Sequence, residues 1–189
     1  LDGLPEFKGV ADGDLGGALV LSPSLNDLER AYDAAKYGRV SPHPYLEISL
    51  PTVSDPGLAP AGKHILSVHM QYAPYKGETA DWHDTIEKTV VDALARVAPD
   101  LPNRIVHSQV LTPHDLEARF GLTEGNLYHG EMMLDQILFM RPISGWAQHR
   151  TPIEGLYLCG PGAHPGGGGT GALLRHPGVR TVGSGTLRD

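Results

Sequence analysis

"TADWHDTIEKTVVDALARVAPD", residues 79–100, is the stretch that points most directly to the fold. Its apolar residues recur at steps of three and four, so one face of a helix would carry Trp82, Ile86, Val90, Ala93, Leu94 and Val97. Pro99 ends the pattern, because proline breaks a helix. The spacing predicts a helix over 79–98 whose apolar face must be covered by another element.

Segments with the alternating pattern of strands are predicted to cover this apolar face. "PYLEISLP" (44–51) and "HILSVHMQYAP" (64–74) alternate apolar and polar residues between prolines, which is typical of strands with one buried face. "NRIVHSQVLT" (103–112) has a similar character and is predicted to be a third strand. These segments predict an antiparallel sheet of at least three strands packed against the 79–98 helix.

Two further helices follow from their start and stop signals. "SLNDLERAYDAAKYG" (24–38) has helical apolar spacing between Ser24 and Gly38. "TPHDLEARFG" (112–121) places Thr112 as N-cap, Pro113 at the first helical position and Gly121 at the end. Strands and helices that alternate irregularly with proline-rich loops indicate the α+β class, an antiparallel sheet with packed helices.

Bulk composition limits the function classes. The net charge of -7 and the absence of a Lys/Arg cluster argue against a nucleic-acid partner. Cys159, the single cysteine, excludes an intramolecular disulfide and fits a reducing compartment, so we expect a cytoplasmic protein. Cys159 follows an apolar run and is predicted to be a buried structural thiol. The chain begins without methionine and is expected to be an interior piece of something longer.

"CGPGAHPGGGGTGA" (159–172) concentrates glycine after a predicted strand at Gly155–Gly160, whose continuous apolar character indicates burial on both faces. Bare backbone of this kind is typical of sharp turns or of close approach to a phosphate. The run matches G-x-G-x-x-G, but the chain lacks the second strand and ribose-binding acid of a complete βαβ unit. A P-loop is excluded because no Gly-Lys-Ser/Thr follows.

"RTPIEGLYLCGPGAHPGGGGTGA" (150–172), preceded by "HGEMMLDQILFMRPISGW" (129–146), resembles the C-terminal region of phytoene desaturase-like FAD-dependent oxidoreductases. This branch includes the pyridine nucleotide-disulphide oxidoreductase domain-containing proteins and belongs to the amine oxidase/FAD superfamily. The similarity extends back through residues 51–75 and 111–130, and so covers most of residues 40–172.

The resemblance implies a division of the chain and a set of flavin contacts. Residues 1–150 would be part of a substrate-binding domain, 151–175 a C-terminal FAD-contact segment with an orphaned strand, and 176–189 an atypical tail. The residues that would lie beside FAD are Gly160, Gly162, Ala163, His164, Pro165, Gly166, Gly167, Gly168 and Gly171.

The function implied is removal of hydride equivalents from an amine or apolar C–C substrate by a full-length parent enzyme. The family's N-terminal FAD-binding domain would be the missing partner, the chain alone would be inactive and would not retain FAD, and self-association is expected from exposed apolar surface. No catalytic residue is assigned. The rival interpretation is a non-catalytic binding or interaction module on a flavoenzyme-derived scaffold.

Several other residues have both a structural and a functional interpretation. No histidine spacing suits a metal, so no metal site is predicted. His164 is either a packing residue of the turn or a redox-tuning and proton-handling group. Arg141 is expected to anchor the chain through backbone carbonyls rather than to bind substrate. Glu131 and Asp135 would share a helix face as a solvated pair. The apolar residues of 132–140 are predicted to be core, with a substrate lining as the alternative.

Overall fold

The computed structural model describes residues 1–77 and 81–167. The described residues form two compact units, Leu1–Asp115 and the residues from Leu116 onward. The division falls inside a helix, Pro113–Phe120. The sequence-based division at residue 150 stays a prediction.

The first unit contains a three-stranded antiparallel sheet. Its strands are β1 (Leu19–Leu21), β2 (Tyr45–Ser49) and β3 (Ser67–Gln71), in the order β1-β2-β3. The register pairs Leu19 with Ile48 and Leu46 with Met70. The sheet confirms the α+β class and the strands predicted within 44–51 and 64–74; β1 is an addition, because residues 1–22 contain no long alternating pattern.

Five helices accompany the sheet in the described residues: α1 (Leu25–Lys36), α2 (Pro51–Ser54), α3 (Trp82–Ala95), α4 (Leu101–Arg104) and α5 (Pro113–Phe120). Short 3-10 turns lie at Asp12–Asp14, Pro56–Leu58, Thr123–Gly125 and Leu138–Met140. Helix α1 begins as predicted, because the Ser24 side chain accepts a hydrogen bond from the Asp27 N–H. None of the described helices is both long and apolar enough to cross a bilayer.

The core of the first unit lies between the sheet and α3. One sheet face contributes Leu46 and Ile48, and α3 contributes Ala93 and Leu94, all at most 5 % exposed. This arrangement confirms the predicted packing of the 79–98 helix on the sheet. The remaining buried members of the cluster are Phe7, Leu15, Leu50, Ala98 and Leu101.

The predicted strand at 103–112 is wrong. Residues 101–104 form α4, and residues 105–112 carry no strand. A strand needs a hydrogen-bonded neighbour, and in the described residues neither outer strand of the sheet, β1 or β3, pairs with residues 105–112. Arg104 instead donates to Asp100 one helical turn earlier, at 2.5 Å, which favours the helical turn.

The predicted strand at Gly155–Gly160 is also wrong in the described residues. Only an isolated antiparallel bridge, between Arg150 and Tyr157, occurs there. Leu156 and Leu158 are 47 % and 41 % exposed, so this segment is not buried on both faces within the structure. Both flanking glycines have positive φ angles, which interrupt an extended backbone.

Candidate functional site

The Arg141 side chain connects several backbone segments of the second unit through hydrogen bonds. Its side chain is buried, at 2 % exposure, and donates to the carbonyls of Gln136 at 2.6 Å, Tyr128 at 3.0 Å and Pro161 at 2.6 Å. It also donates to the carbonyl of Glu131. A guanidinium has five N–H donors in a planar fork, and here they tie two separate loops together. The prediction that Arg141 anchors backbone carbonyls is confirmed.

The glycine turn begins at Gly160 and is closed by its own backbone. The Ala163 N–H donates to the Gly160 carbonyl at 3.0 Å, and the Gly166 N–H donates to the Ala163 carbonyl at 2.9 Å. The Pro165 carbonyl accepts from the Leu138 N–H at 2.9 Å. Because Ala163 is 1 % exposed, the turn is held both by packing and by hydrogen bonds.

The glycines of the turn lack a side chain for two different reasons. A Cβ on Gly160 would meet nothing within 4 Å, and one on Gly162 would meet only His129, at 3.9 Å. A Cβ on Gly166 would lie 3.2 Å from Met132, and one on Gly167 would clash with the Tyr128 ring. Internal packing therefore accounts for Gly166 and Gly167. At Gly160 and Gly162 there is room for a Cβ, and Gly160 is favoured instead by its left-handed backbone, with a φ of +92°.

The glycine turn carries hydrogen-bonding groups that have no partner among the described residues. In residues 1–77 and 81–167, no acceptor receives the backbone N–H of Gly160, Gly162 or His164. The Nδ1 atom of His164 is buried and has no partner there either. The His149 ring lies edge-on to His164, with 6.2 Å between ring centroids.

These groups suit an anionic, hydrogen-bonding cofactor such as a dinucleotide. Free N–H groups on open glycine backbone can contact phosphate oxygens, and a buried imidazole nitrogen can pair with a polar ring atom. Of the predicted FAD contacts, Gly160, Gly162 and His164 have open or unpaired groups, and Ala163 and Pro165 support the turn. Gly168 and Gly171 lie outside the described residues.

Several predictions about this unit are wrong. Cys159 is exposed, because the strand that was to bury it does not form. Glu131 and Asp135 lie in a segment of bends and turns and share no helix. The apolar segment 132–140 is not core: Met133, Leu134 and Phe139 are 60 %, 87 % and 68 % exposed.

In the described part of the chain, no group of three or more His, Cys, Asp or Glu is arranged to hold a metal.

A polar cluster at the start of α5 is absent from the sequence predictions, apart from its cap. The Asp115 carboxylate accepts from the N–H and hydroxyl of Thr112, at 2.8 Å and 2.7 Å, and lies 2.8 Å from His83 Nε2. The Thr112 hydroxyl in turn accepts from the Asp115 N–H at 3.2 Å. These bonds from Thr112, with His83, lower the pKa of Asp115 to about 2. The spacing Thr-x-x-Asp was the signal that could have revealed this capping box.

Known proteins are similar to most of this chain. The pyridine nucleotide-disulfide oxidoreductase domain-containing protein 2 of Rattus norvegicus is 43 % identical over 154 residues, which are 79 % of this chain and 26 % of that protein. The protein of the same name from Mus musculus is 42 % identical over 156 residues, again 79 % and 26 %. The chain belongs to this family. It spans about a quarter of the length of these relatives.

Two less similar proteins have other names. A limonene dehydrogenase component from Castellaniella defragrans is 30 % identical over 119 residues, or 62 % of this chain and 21 % of that protein. The 4,4'-diapophytoene desaturase of Staphylococcus aureus is 30 % identical over 139 residues, or 69 % and 27 %. No protein-family model matches the chain, and no solved structure matches it. The resemblance to the pyridine nucleotide-disulphide oxidoreductase domain-containing proteins is therefore confirmed by relatives in sequence rather than by a fold match.

Proposed function

We propose that this chain is part of an FAD-dependent oxidoreductase in which the turn from Gly160 to His164 contacts the cofactor. One observation carries the proposal: within residues 1–77 and 81–167, that turn has three N–H groups without an acceptor, and the buried Nδ1 of His164 has no partner. A folded protein normally pairs such groups, with its own atoms, with water or with a ligand. The oxidoreductase names of the relatives support a flavin-type cofactor as that ligand.

The cofactor would supply the redox chemistry, since a flavin accepts hydride equivalents that protein side chains cannot. The residues of this chain would do the binding and orientation. Gly160 and Gly162 would allow close approach, the turn's N–H groups would donate to acceptor atoms, and Arg141 would hold the turn in place. His164 would pair with the cofactor through Nδ1.

We further propose that the parent enzyme dehydrogenates an amine or an apolar C–C substrate, and that residues 1–150 belong to its substrate-binding domain. The printed names of two relatives, a dehydrogenase and a desaturase, support removal of hydrogen as the reaction. The partner would be an FAD-binding domain elsewhere in the parent. We propose a cytoplasmic location, and self-association of the isolated chain through the exposed apolar residues of 132–140.

The test uses the full-length protein from the complete reading frame. Replacing Gly162 with valine places a side chain on the open face of the turn, and we expect the purified protein to lose most of its flavin absorbance. Gly13→Val is the matched control, because Gly13, like Gly162, has room for a Cβ and no left-handed backbone, but lies in the first unit. This variant should keep its flavin.

Two outcomes contradict the proposal. If Gly162→Val retains a full complement of flavin with unchanged activity, the turn does not contact the cofactor. If the unmodified full-length protein carries no flavin and takes up none when FAD is added, the interaction-module interpretation replaces the oxidoreductase.

A further inference from the structure

The sheet of the first unit carries a cluster of polar side chains on the face that points away from the core. Side chains alternate along a strand, so Tyr45 and Glu47 of β2 lie on the opposite face from the buried Leu46. The register places His69 of β3 opposite Glu47, and Gln71 opposite Tyr45. The side chains of Glu47 and His69 are 43 % and 40 % exposed. The four polar side chains therefore lie together where solvent reaches them.

Glu47 is the acceptor at the centre of this cluster. Its Oε1 atom accepts from the Tyr45 hydroxyl at 3.2 Å and from Gln71 Nε2 at 3.4 Å. Its Oε2 atom lies 3.4 Å from His69 Nδ1. An ionised carboxylate only accepts hydrogen bonds, so the imidazole contributes here through a protonated Nδ1. Side chains from two neighbouring strands thus fix the position of one carboxylate.

The negative charge of Glu47 is held in place but is not neutralised. The tyrosine hydroxyl and the glutamine amide carry no net charge, and a neutral imidazole adds none. Among residues 1–77 and 81–167, no lysine or arginine lies within 4.0 Å of the Glu47 carboxylate. A cation on the neighbouring strand would stabilise such a carboxylate, but the residue opposite is His69. The cluster therefore presents an oriented negative charge that an external cation can approach.

Apolar surface beside the carboxylate favours an organic cation over a metal ion. The Tyr45 hydroxyl reaches Glu47 from two residues away, so the Tyr45 ring lies along the same face. Aromatic rings attract ammonium groups that lie over them. Val20, which is opposite Glu47 on β1 and 58 % exposed, adds an apolar side chain to this face. An alkylammonium group would use the carboxylate, the ring and the apolar side chain together.

We propose that Glu47 and Tyr45 bind the ammonium group of an organic amine on this face of the sheet. The assignment rests on the proposed function, which takes residues 1–150 as part of a substrate-binding domain, and it selects the amine from the two substrate classes named there. An apolar substrate covering this face would remove water from the Glu47 carboxylate without replacing its interactions, which is unfavourable. An ammonium group replaces that water with a charge-assisted hydrogen bond.

The first experiment adds n-hexylamine or 1-hexanol to this chain and follows its nuclear magnetic resonance signals. The two probes have the same alkyl chain, but only hexylamine is positively charged at neutral pH. We expect hexylamine to shift the side-chain carboxyl carbon of Glu47 and the backbone amides of Glu47 and His69 saturably, and hexanol to leave them in place. Equal shifts from both probes, or no saturable shift at Glu47, overturn the proposal without any variant having to fold.

The second experiment removes the charge and keeps the shape of the side chain. Glu47→Gln has nearly the same size and still offers an oxygen to the Tyr45 hydroxyl, so we expect the sheet to persist. Its dissociation constant for hexylamine, measured from the His69 amide, should rise by about tenfold or more because a charge-assisted hydrogen bond is lost. Glu29→Gln is the matched control, since it removes an exposed carboxylate from α1 of the same unit.

The control variant should leave the dissociation constant unchanged. If Glu29→Gln weakens hexylamine binding as much as Glu47→Gln does, the amine responds only to the net charge of -7, and the assignment to Glu47 is wrong.

Flavin content of the full-length protein separates this assignment from the proposed function. A parent that retains flavin, together with a chain that does not bind hexylamine at Glu47, refutes the amine site alone. A parent that carries no flavin and takes up none refutes the proposed function, whereas saturable hexylamine binding at Glu47 would still support the ammonium site.

Discussion

The pair Thr112 and Asp115 shows how two short side chains settle the start of a helix. Each accepts a hydrogen bond from the other's backbone N–H, so two donors that α5 would leave unpaired are satisfied. The Asp115 carboxylate accepts from the N–H and the hydroxyl of Thr112, and because these bonds favour its ionised form, its pKa is lowered to about 2. The stability of α5 is thereby coupled to pH.

Asp115 should titrate abnormally, and its stabilising effect should have a defined pH range. Because its folded-state pKa lies below the ordinary value of 3.8, ionised Asp115 stabilises the fold above that pH, and this contribution is lost as the pH falls toward 2. Thr112→Val removes the hydroxyl, so we expect the pKa of Asp115 to rise toward 3.8 and unfolding to become about 1 kcal/mol easier at neutral pH. Carboxyl-carbon magnetic resonance and denaturant unfolding measure both effects.

Thr112→Ser is the control, because it keeps the hydroxyl that both caps the helix and donates to the carboxylate. It should preserve the low pKa of Asp115 and most of the stability. An unchanged Asp115 pKa in Thr112→Val would show that the backbone N–H of residue 112 and His83, and not the hydroxyl, hold the carboxylate ionised.

Position 38 requires glycine for two reasons, the left-handed backbone conformation and the close approach of neighbouring backbone atoms. Its φ is +70°, and a Cβ would lie 2.7 Å from the Lys76 carbonyl oxygen. Gly62 has a similar φ of +75° but open space around it. We expect Gly62→Ala to cost about 1–2 kcal/mol of unfolding free energy from the left-handed backbone alone. Gly38→Ala should cost at least about 1 kcal/mol more, because crowding is added.

Denaturant unfolding of the two variants side by side tests this. If both variants lose the same free energy of unfolding, the backbone around Lys76 moves to accommodate the methyl group. The left-handed backbone conformation alone would then explain glycine at position 38.

At the level of elements, the packing of α3 against the sheet forms the core of the first unit, and Leu94 is a buried contact between them. Leu94 is 1 % exposed and lies in one cluster with Leu46 and Ile48. We expect Leu94→Ala to destabilise the protein by about 2–5 kcal/mol, the usual cost of a buried leucine and its cavity. Leu25→Ala, at a position 85 % exposed, provides the same substitution without burial and should cost less than about 1 kcal/mol. Thermal or denaturant unfolding distinguishes the two; similar losses would place the core elsewhere.

Local chemistry determined which elements could be predicted from the sequence. Helices α1, α3 and α5 follow from apolar spacing, Ser24 and Thr112 caps and terminal glycines, all of which act within a few residues. The strands at 103–112 and Gly155–Gly160 failed because a strand depends on a partner distant in sequence. At the site, the carbonyl contacts of Arg141 could be predicted, whereas the contacts of Gly166 and Gly167 with Met132 and Tyr128 are long-range packing that composition does not reveal.

For the whole molecule, the proposed cofactor contacts within the described residues all lie in a single turn. Such a turn offers few contacts, and tight dinucleotide binding requires many. We expect the isolated 189-residue chain to purify without a stoichiometric amount of flavin. Absorbance in the flavin bands, after incubation with FAD and dialysis, measures this. Retention of one flavin per chain would show that the chain contains a complete binding site.

The exposed thiol of Cys159 gives direct experimental access to this turn. Cys159 is the single cysteine of the chain and immediately precedes Gly160. A maleimide dye would therefore attach at one defined position, without removal of any other thiol. Its fluorescence would report occupancy of the neighbouring backbone in real time, and energy transfer between dyes on two chains would measure how close those chains come.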